Sequence, residues 1–539
     1  MTAERRVRSI ALGLILLVAL AWRLNNVGFG LPNMWDPDEP IFMLIPLDML
    51  GHRTLNPGWF GHPGSTTIYL IALIDMIVVS LGMATGRYPN QAAFAQAAFN
   101  DPAMLFEPAR LAMVLIALCT VWLTYKVGKK LGGTTIGLTS ALLLAINPLH
   151  IAWSQVIRTD IQASLFMLTS IVFCIRTAER GQLRDYLLAG AFAGLATVTK
   201  WPAATVLFAL LGAAASHGLN WPNARKLALA VVAWIGAMFV ASPYIFIDWR
   251  AVLANVSGEA AQTHLGHTSS GFFSNLKFYI IDQLGGSMGW IGLAAAFAGA
   301  VILASRSREA RWTLFPATLA FLILIAAQHL VWSRWMLPLL PAFTIFAAVA
   351  IERVGRAIAG AFPKISTQIA TAMVCLVIAA PAFAGAISQA TERANDTRAL
   401  ADRWAQEHIP AGSTVVLEHL ELGLRRAPWK LLFPVGRSGC IDAVKALNGG
   451  VHYRGIQKMR GNAPIADLGN VSSEQLASCH ANYAILTYYD LYLDETGHFP
   501  EEIRNYQAVL ANGRTVALFR PESGRVGGPV VRIVFIPPH

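Results

Sequence analysis

The feature that most limits this chain is the recurrence, over its first 390 residues, of apolar runs close to 20 residues long. A helix of roughly 20 residues matches the hydrocarbon thickness of a bilayer. Lipid offers no partners to backbone N–H and C=O groups, so only helices and closed barrels cross it. Runs of this length are twice what a barrel strand needs, so the fold class is mostly α, a polytopic transmembrane helical bundle. Only 14% of the 539 residues are charged, against about a quarter in soluble domains. The net charge of +11 belongs on cytoplasmic loops as a topology signal rather than on a nucleic-acid surface. Membrane lipids are therefore expected partners, and nucleic acid is not.

Basic residues set the orientation. Short clusters stand at Arg5/Arg6/Arg8, Lys126/Lys129/Lys130, Arg176/Arg180/Arg184, Arg225/Lys226, Arg306/Arg308/Arg311 and Arg353/Arg356/Lys364. If all are cytoplasmic, an even number of crossings separates consecutive clusters. Spans are expected at about 9–29, 108–126, 132–149, 161–178, 186–200, 201–217, 228–247, 278–304, 312–330, 335–352 and 366–388, about eleven in all. The first lacks a small-residue cleavage site and is read as retained. Residues 65–84 are long enough to span, but a crossing there would flip the Lys126 cluster outside. They are read as a helix dipping into the outer leaflet, with Asp75 in a protein-packed or wet position.

From about 390 the character changes. TRALADRWAQEHI is amphipathic, and PAGSTVVLEH, AILTYYD, VALFRP and VVRIVFI are short β-branched or aromatic runs. The division expected is a transmembrane catalytic domain over 1–389 and a small periplasmic α/β domain over 390–539. Cys440 and Cys479 both fall in the second and can pair if it faces an oxidising compartment.

Chemistry concentrates in the loops on one side. The first external loop opens with MWDPDEPIFM, which holds Asp36, Asp38 and Glu39, and continues to His62. The second holds Arg158 and Asp160, and the third begins at Lys200. Glu259, His264 and His267 lie in the fourth, and Arg334 in the fifth. Group transfer from a lipid phosphate needs a carboxylate base for the incoming nucleophile and cations for the departing phosphate. Asp38 suits the first role, and Lys200, Arg158 and Arg334 the second. There is no Walker or dinucleotide fingerprint.

The stretch WDPDEPIFM after a first span resembles the Asp-Glu motif of lipid-carrier-dependent glycosyltransferase family 39, which includes protein O-mannosyltransferases and aminoarabinose transferases of lipid A. The resemblance extends to His62-Pro63 opening a helix, Arg158-Thr-Asp160, GLATVTK ending at Lys200, and SRWMLPLLP. Together these span residues 1 to about 350. The resemblance implies a C-type glycosyltransferase fold and an inverting transfer from a polyprenyl-phosphate sugar, with Asp38 as base. Glu39 stands beside it as a catalytic candidate, and Asp160 lines the same cavity. The acceptor would be an extracytoplasmic protein, lipid or glycan, reached from a bacterial inner membrane. Three departures stand out: Gly64 replaces the second Pro of an HPP segment, Trp335 replaces a Tyr, and Asp36 leaves the choice of base between itself and Asp38.

Each signal has a plainer reading beside the functional one. The acidic residues could stabilise a helix N-terminus, Arg158–Asp160 could be a simple ion pair, and Lys200 could snorkel. Trp332 and Trp335 suit an interfacial belt. Asp36, His62, His264 and His267 are candidates for donor or acceptor contact. Glu259, His264 and His267 are the one set spaced for a divalent metal cation, although no cofactor is required. The alternative function is a transporter or flippase of a lipid-linked sugar, which would place ionisable residues near the midplane in paired repeats. No such repeat is visible.

Overall fold

The computed structural model describes residues 3–218, 220–259, 262–418, 424, 427–448, 453–461, 463 and 465–537. Its first part is helical. Nine early helices frame the site: α1 (Ala3–Leu24), α2 (Glu39–Gly51), α3 (Ser65–Ala84), α4 (Gln91–Asn100), α5 (Ala103–Gly132), α6 (Thr134–Ala145), α7 (Pro148–Ser154), α8 (Thr159–Arg180) and α9 (Leu183–Thr199). Among the described residues eight helices are long and apolar enough to cross a membrane, or nine if α6 and α7, bent by 62° at Ile146–Asn147, form one span. The expected crossings at 186–200 and 201–217 are a 17-residue helix and a 3-10 turn running into Leu207–Ala215. That expected at 335–352 is Leu340–Ala361, most of it inside the bundle.

Close approach of backbones holds the bundle together, as expected where lipid supplies no hydrophobic drive between helices. At Gly299 a Cβ would collide with the Phe346 carbonyl, so only glycine lets these two helices meet. Lys129 and Lys130 end α5, where Lys130 pairs with Glu179 at 2.8 Å. This basic end lies far from the acidic loop, because α5 is 30 residues long, or about 45 Å at 1.5 Å per residue.

The helix over 65–84 passes the length and hydropathy test for a span. Its connections show no net crossing. Pro63, just before α3, bridges Lys200, and Arg110, two turns into α5, grips Glu39 at the start of α2. The chain leaves and returns to one level through α4, whose Phe94 packs in the same cluster as Ile68 and Leu105. Asp75 is fully buried.

After the helix Thr367–Ala394 comes a six-stranded sheet: β1 (Thr414–Leu417), β2 (Lys430–Pro434), β3 (Cys440–Asp442), β4 (Tyr483–Leu486), β5 (Arg514–Phe519) and β6 (Val531–Phe535), in the order β3-β2-β1-β4-β6-β5. His419, at the end of one expected strand, lies outside the described residues. β2, β1 and β4 run parallel, and β3 and β6 antiparallel to their neighbours. Side chains alternate across β1: Val415 and Leu417 pack with Ala401 and Ala405 of the helix Thr397–His408, while Val416 packs with Tyr506 of the helix Pro500–Val509. Cys440 and Cys479 form a disulfide. This domain touches the bundle: Arg398 donates to the Trp35 carbonyl at 3.0 Å, and Leu265 of the fourth external loop is buried in the β-domain core.

Candidate active site

The acidic loop is built around a helix start. Asp36 Oδ1 accepts from the backbone N–H of Asp38 and Glu39, at 3.0 and 3.3 Å, and so satisfies amides that the first turn of α2 leaves open. The plainer reading of this cluster therefore holds for Asp36. Glu39, a sequence candidate for catalysis, is corrected by the structure. Its carboxylate is fully buried, takes both Nε and Nη2 of Arg110 at 2.9 and 2.6 Å, and accepts from Ile157 N–H at 2.8 Å. No face is left for a substrate. By anchoring Ile157 it locates Arg158, the next residue.

Asp38 has the most exposed side chain of the three, at 29%. It ion-pairs with Arg158 Nη1 and lies 3.6 Å from Arg334 Nη2. Arg158 Nη2 reaches back to Asp36 at 2.7 Å. Asp160 lies two residues beyond Arg158, in an ion pair with Lys200 and 4.0 Å from Arg334 Nε. Three carboxylates and three cations thus meet at one place, with Arg334 joining the two halves. Burial pulls the Arg158 guanidinium down to about 10, opposed by Asp36. Arg334 is lowered too, again by burial, with Asp160 opposing. Arg158 Nε and Arg334 Nη1 are buried without a hydrogen-bond partner among the described residues. Uncommitted cationic N–H groups of this kind suit an anion.

Local pairing explains why Lys200 arrives here. Gly64 N–H donates to Thr199 O at 3.2 Å, and Trp201 N–H to His62 O at 3.2 Å, so the HPG segment and the end of α9 form a short two-stranded clasp. Gly64 caps α3 with φ +69°, in the left-handed region that proline's ring forbids. The departure from HPP is therefore a different backbone geometry. Trp335 is the other departure and faces Lys200, with Nζ 5.8 Å from the ring. Trp332 in turn lies against Arg334, with Cζ 3.8 Å from its ring, so both indoles reach the charge cluster.

The remaining candidates lie at the edge. His62 Nε2 is 3.5 Å from Glu259. Burial alone would raise Glu259, but His62 and Arg334 hold it below the usual range. His264 and His267 pack on Trp332 instead. The metal expectation finds no support in this geometry: among the described residues no three His, Cys, Asp or Glu side chains converge as ligands, and Glu259 faces His62. On the other side of Asp36 opens a cavity of about 380 Å³, walled by Phe29, Trp35, Trp153, Ser333, Arg393 and Arg398. Arg110, Arg393, Arg398 and Trp153 escaped the sequence reading. A lone charge in an apolar run, as at Arg110, was the available signal, since burial demands a partner.

Residues 99–247 match the family model described as dolichyl-phosphate-mannose-protein mannosyltransferase. No curated protein sequence matches the chain. Among solved structures, ArnT from Cupriavidus metallidurans in the apo state superposes with a TM-score of 0.55 at 15% identity, covering 100% of both chains. The same protein bound to undecaprenyl phosphate gives 0.53 at 14%, again over 100% of both. The archaeal oligosaccharyltransferase AglB from Archaeoglobus fulgidus, in complex with an inhibitory peptide and a dolichol-phosphate, gives 0.51 at 12%, over 93% of this chain and 72% of that one. The chain thus shares the fold of these solved structures, and of the motifs that carried the resemblance RTD and TVTK fall inside the segment that matches the family model, while WDPDEPIFM, HP and SRWMLPLLP lie outside it.

Proposed function

We propose that this protein is an integral-membrane glycosyltransferase that moves a sugar from a polyprenyl-phosphate carrier to an extracytoplasmic acceptor. One observation carries the reading: the most exposed carboxylate of the acidic loop, Asp38, shares its guanidinium partners with uncommitted N–H groups that suit a phosphate. Asp38 is the general base. It takes the proton of the acceptor's nucleophile as that atom bonds to the anomeric carbon and the C–O bond to the carrier phosphate breaks. The attack comes from the face opposite the phosphate, so the configuration inverts.

Charge accounting supports the assignment. Asp38 goes from −1 to 0 in the step, while the phosphate gains one negative charge as it leaves. The total within the site is unchanged, and the arginines pass from carboxylate to phosphate without moving far. Such preoriented charge is usually the largest catalytic contribution. Asp160, paired with Lys200, also faces Arg334 at 4.0 Å, and the cavity beside Asp36 receives the acceptor.

Sidedness follows the same reading. The basic ends of α5 and α8 suit the cytoplasmic side, and on this reading Asp38 and the disulfide-bearing sheet domain lie outside a bacterial inner membrane. The test is Asp38→Asn in nanodiscs. Turnover of a polyprenyl-phosphate sugar should fall 10²- to 10⁴-fold, with affinity for undecaprenyl phosphate retained. Turnover within a factor of three of wild type would overturn the assignment.

A further inference from the structure

The guanidinium of Arg334 is held by stacking more than by hydrogen bonds. Its two ion-pair distances are long, 3.6 Å to Asp38 and 4.0 Å to Asp160, and Nη1 has no partner among the described residues. Its carbon Cζ, however, lies 3.8 Å from the ring centroid of Trp332. The His267 ring lies 3.5 Å from Trp332 with 24° between planes. Two groups so near one ring centre cannot share a face, so the indole is sandwiched between imidazole and guanidinium.

The outer layer of this stack is itself fixed. His267 Nδ1 donates to Val331 O at 3.1 Å, Val331 N–H donates to His267 O at 2.9 Å, and Ser269 N–H donates to His329 O at 2.9 Å. The loops carrying His267 and Trp332 are therefore zipped together. The tip of the first loop is gripped from the sheet domain. Leu265 is buried among Val416, Leu432 and Tyr506, and Gly266 N–H donates to Glu495 Oε1 at 2.8 Å. Burial draws His267 down to about 4. The ring is therefore neutral near pH 7 and adds no like charge beside Arg334.

We propose that Trp332 and His267 are positioning residues that hold Arg334 flat for the carrier phosphate, and that the sheet domain sets this geometry through Leu265 and Glu495. This rests on the reading of Arg334 as a phosphate ligand. A stacked cation keeps its N–H edge directed in the ring plane, which is where a phosphate oxygen can meet it. The sheet domain thereby controls one of the cluster's cations.

The test compares binding of undecaprenyl phosphate with that of undecaprenol to the full chain in nanodiscs. The ratio of the two affinities isolates the phosphate contribution from that of the tail. Trp332→Leu, His267→Leu and Leu265→Ser should each shrink that ratio, roughly tenfold for Trp332→Leu, and should raise the donor KM more than they lower kcat. Trp332→Phe should restore most of the ratio. Arg334→Gln should shrink the preference further than Trp332→Leu does. If Arg334→Gln keeps the wild-type ratio, the phosphate reading falls and the inference with it. If Arg334→Gln loses it while Trp332→Leu and His267→Leu do not, the phosphate reading stands and the inference is overturned. Should Trp332→Leu fail to fold, seen as loss of undecaprenol binding as well, His267→Leu and Leu265→Ser decide on the same terms.

Discussion

Two adjacent carboxylates, Asp38 and Glu39, should fail in opposite ways when altered. Glu39 and Arg110 are both fully buried and joined by two bonds of 2.9 and 2.6 Å. Removing one partner of such a pair leaves an uncompensated charge in the interior, a loss of about 3–5 kcal/mol. Glu39→Ala would also orphan Ile157 N–H, now bonded at 2.8 Å, which adds about 1–3 kcal/mol if no water enters. These two losses share one carboxylate and do not add fully. Glu39→Gln keeps the volume and an acceptor for Ile157, so its loss should be smaller. Arg110 retains bonds to Val27 O and Phe29 O at 2.7 and 2.8 Å, so Glu39→Leu with Arg110→Met should recover only part of the stability. Asp38→Asn, being partly exposed, should change stability little while abolishing turnover. The assay is thermal unfolding in detergent at fixed scan rate, followed by tryptophan fluorescence, beside a turnover assay on the same preparations. A Glu39→Ala protein that melts like wild type, or an Asp38→Asn protein that melts far below it, would refute the division of labour drawn here.

Three further outcomes are expected. Gly64→Pro, which would restore an HPP segment, should destabilise the clasp at Lys200, because φ +69° is closed to proline; raised KM for donor and lower melting temperature would be measured together. Reducing Cys440–Cys479, which closes a loop of 39 residues, should lower the stability of the sheet domain by about 4 kcal/mol in the chain-entropy estimate, read as faster proteolysis after reductant. Finally, burial and then the Asp467 charge raise Glu418 from 4.5 to about 7, and burial raises Asp467 from 3.8 to about 6. Raised carboxyl values mean the folded state binds more protons, so this contribution is greatest below about pH 4 and is lost as pH rises through 7. Calorimetry of the full chain should show the sheet-domain transition moving down over that interval, and Glu418→Gln should flatten the dependence.

Much of the architecture was legible because lipid imposes strong rules on sequence. Long apolar runs announced the bundle, and the short β-branched and aromatic runs after 410 announced β1, β4, β5 and β6. β2 and β3, KLLFP and CID, were not among the runs read as strands. The order of Asp38, Arg158, Asp160, Lys200 and Arg334 along the chain was readable, but their convergence was not, because sequence spacing carries no distance between loops. Glu39 shows the limit most plainly. A carboxylate that touches solvent and one sealed against Arg110 look alike when written side by side, and the partner lies 71 positions away. Arg393 was hidden for the same reason: it ends a long helix, where it reads as an anchor, yet it reaches Gln155 and the Ala152 carbonyl.

The burial of Leu265 in the sheet-domain core has a practical corollary for anyone dissecting this molecule. A plug from one half seated in the other ties the two halves together, whatever the change of character near residue 390 suggests. A stop codon placed there would strip the fourth loop of its socket and leave a bare leucine in water, and the severed tail would carry an open hole at its centre. Expression trials should therefore keep the chain whole, and chimaeras that exchange tails between homologues should carry residues 262–270 along with the tail.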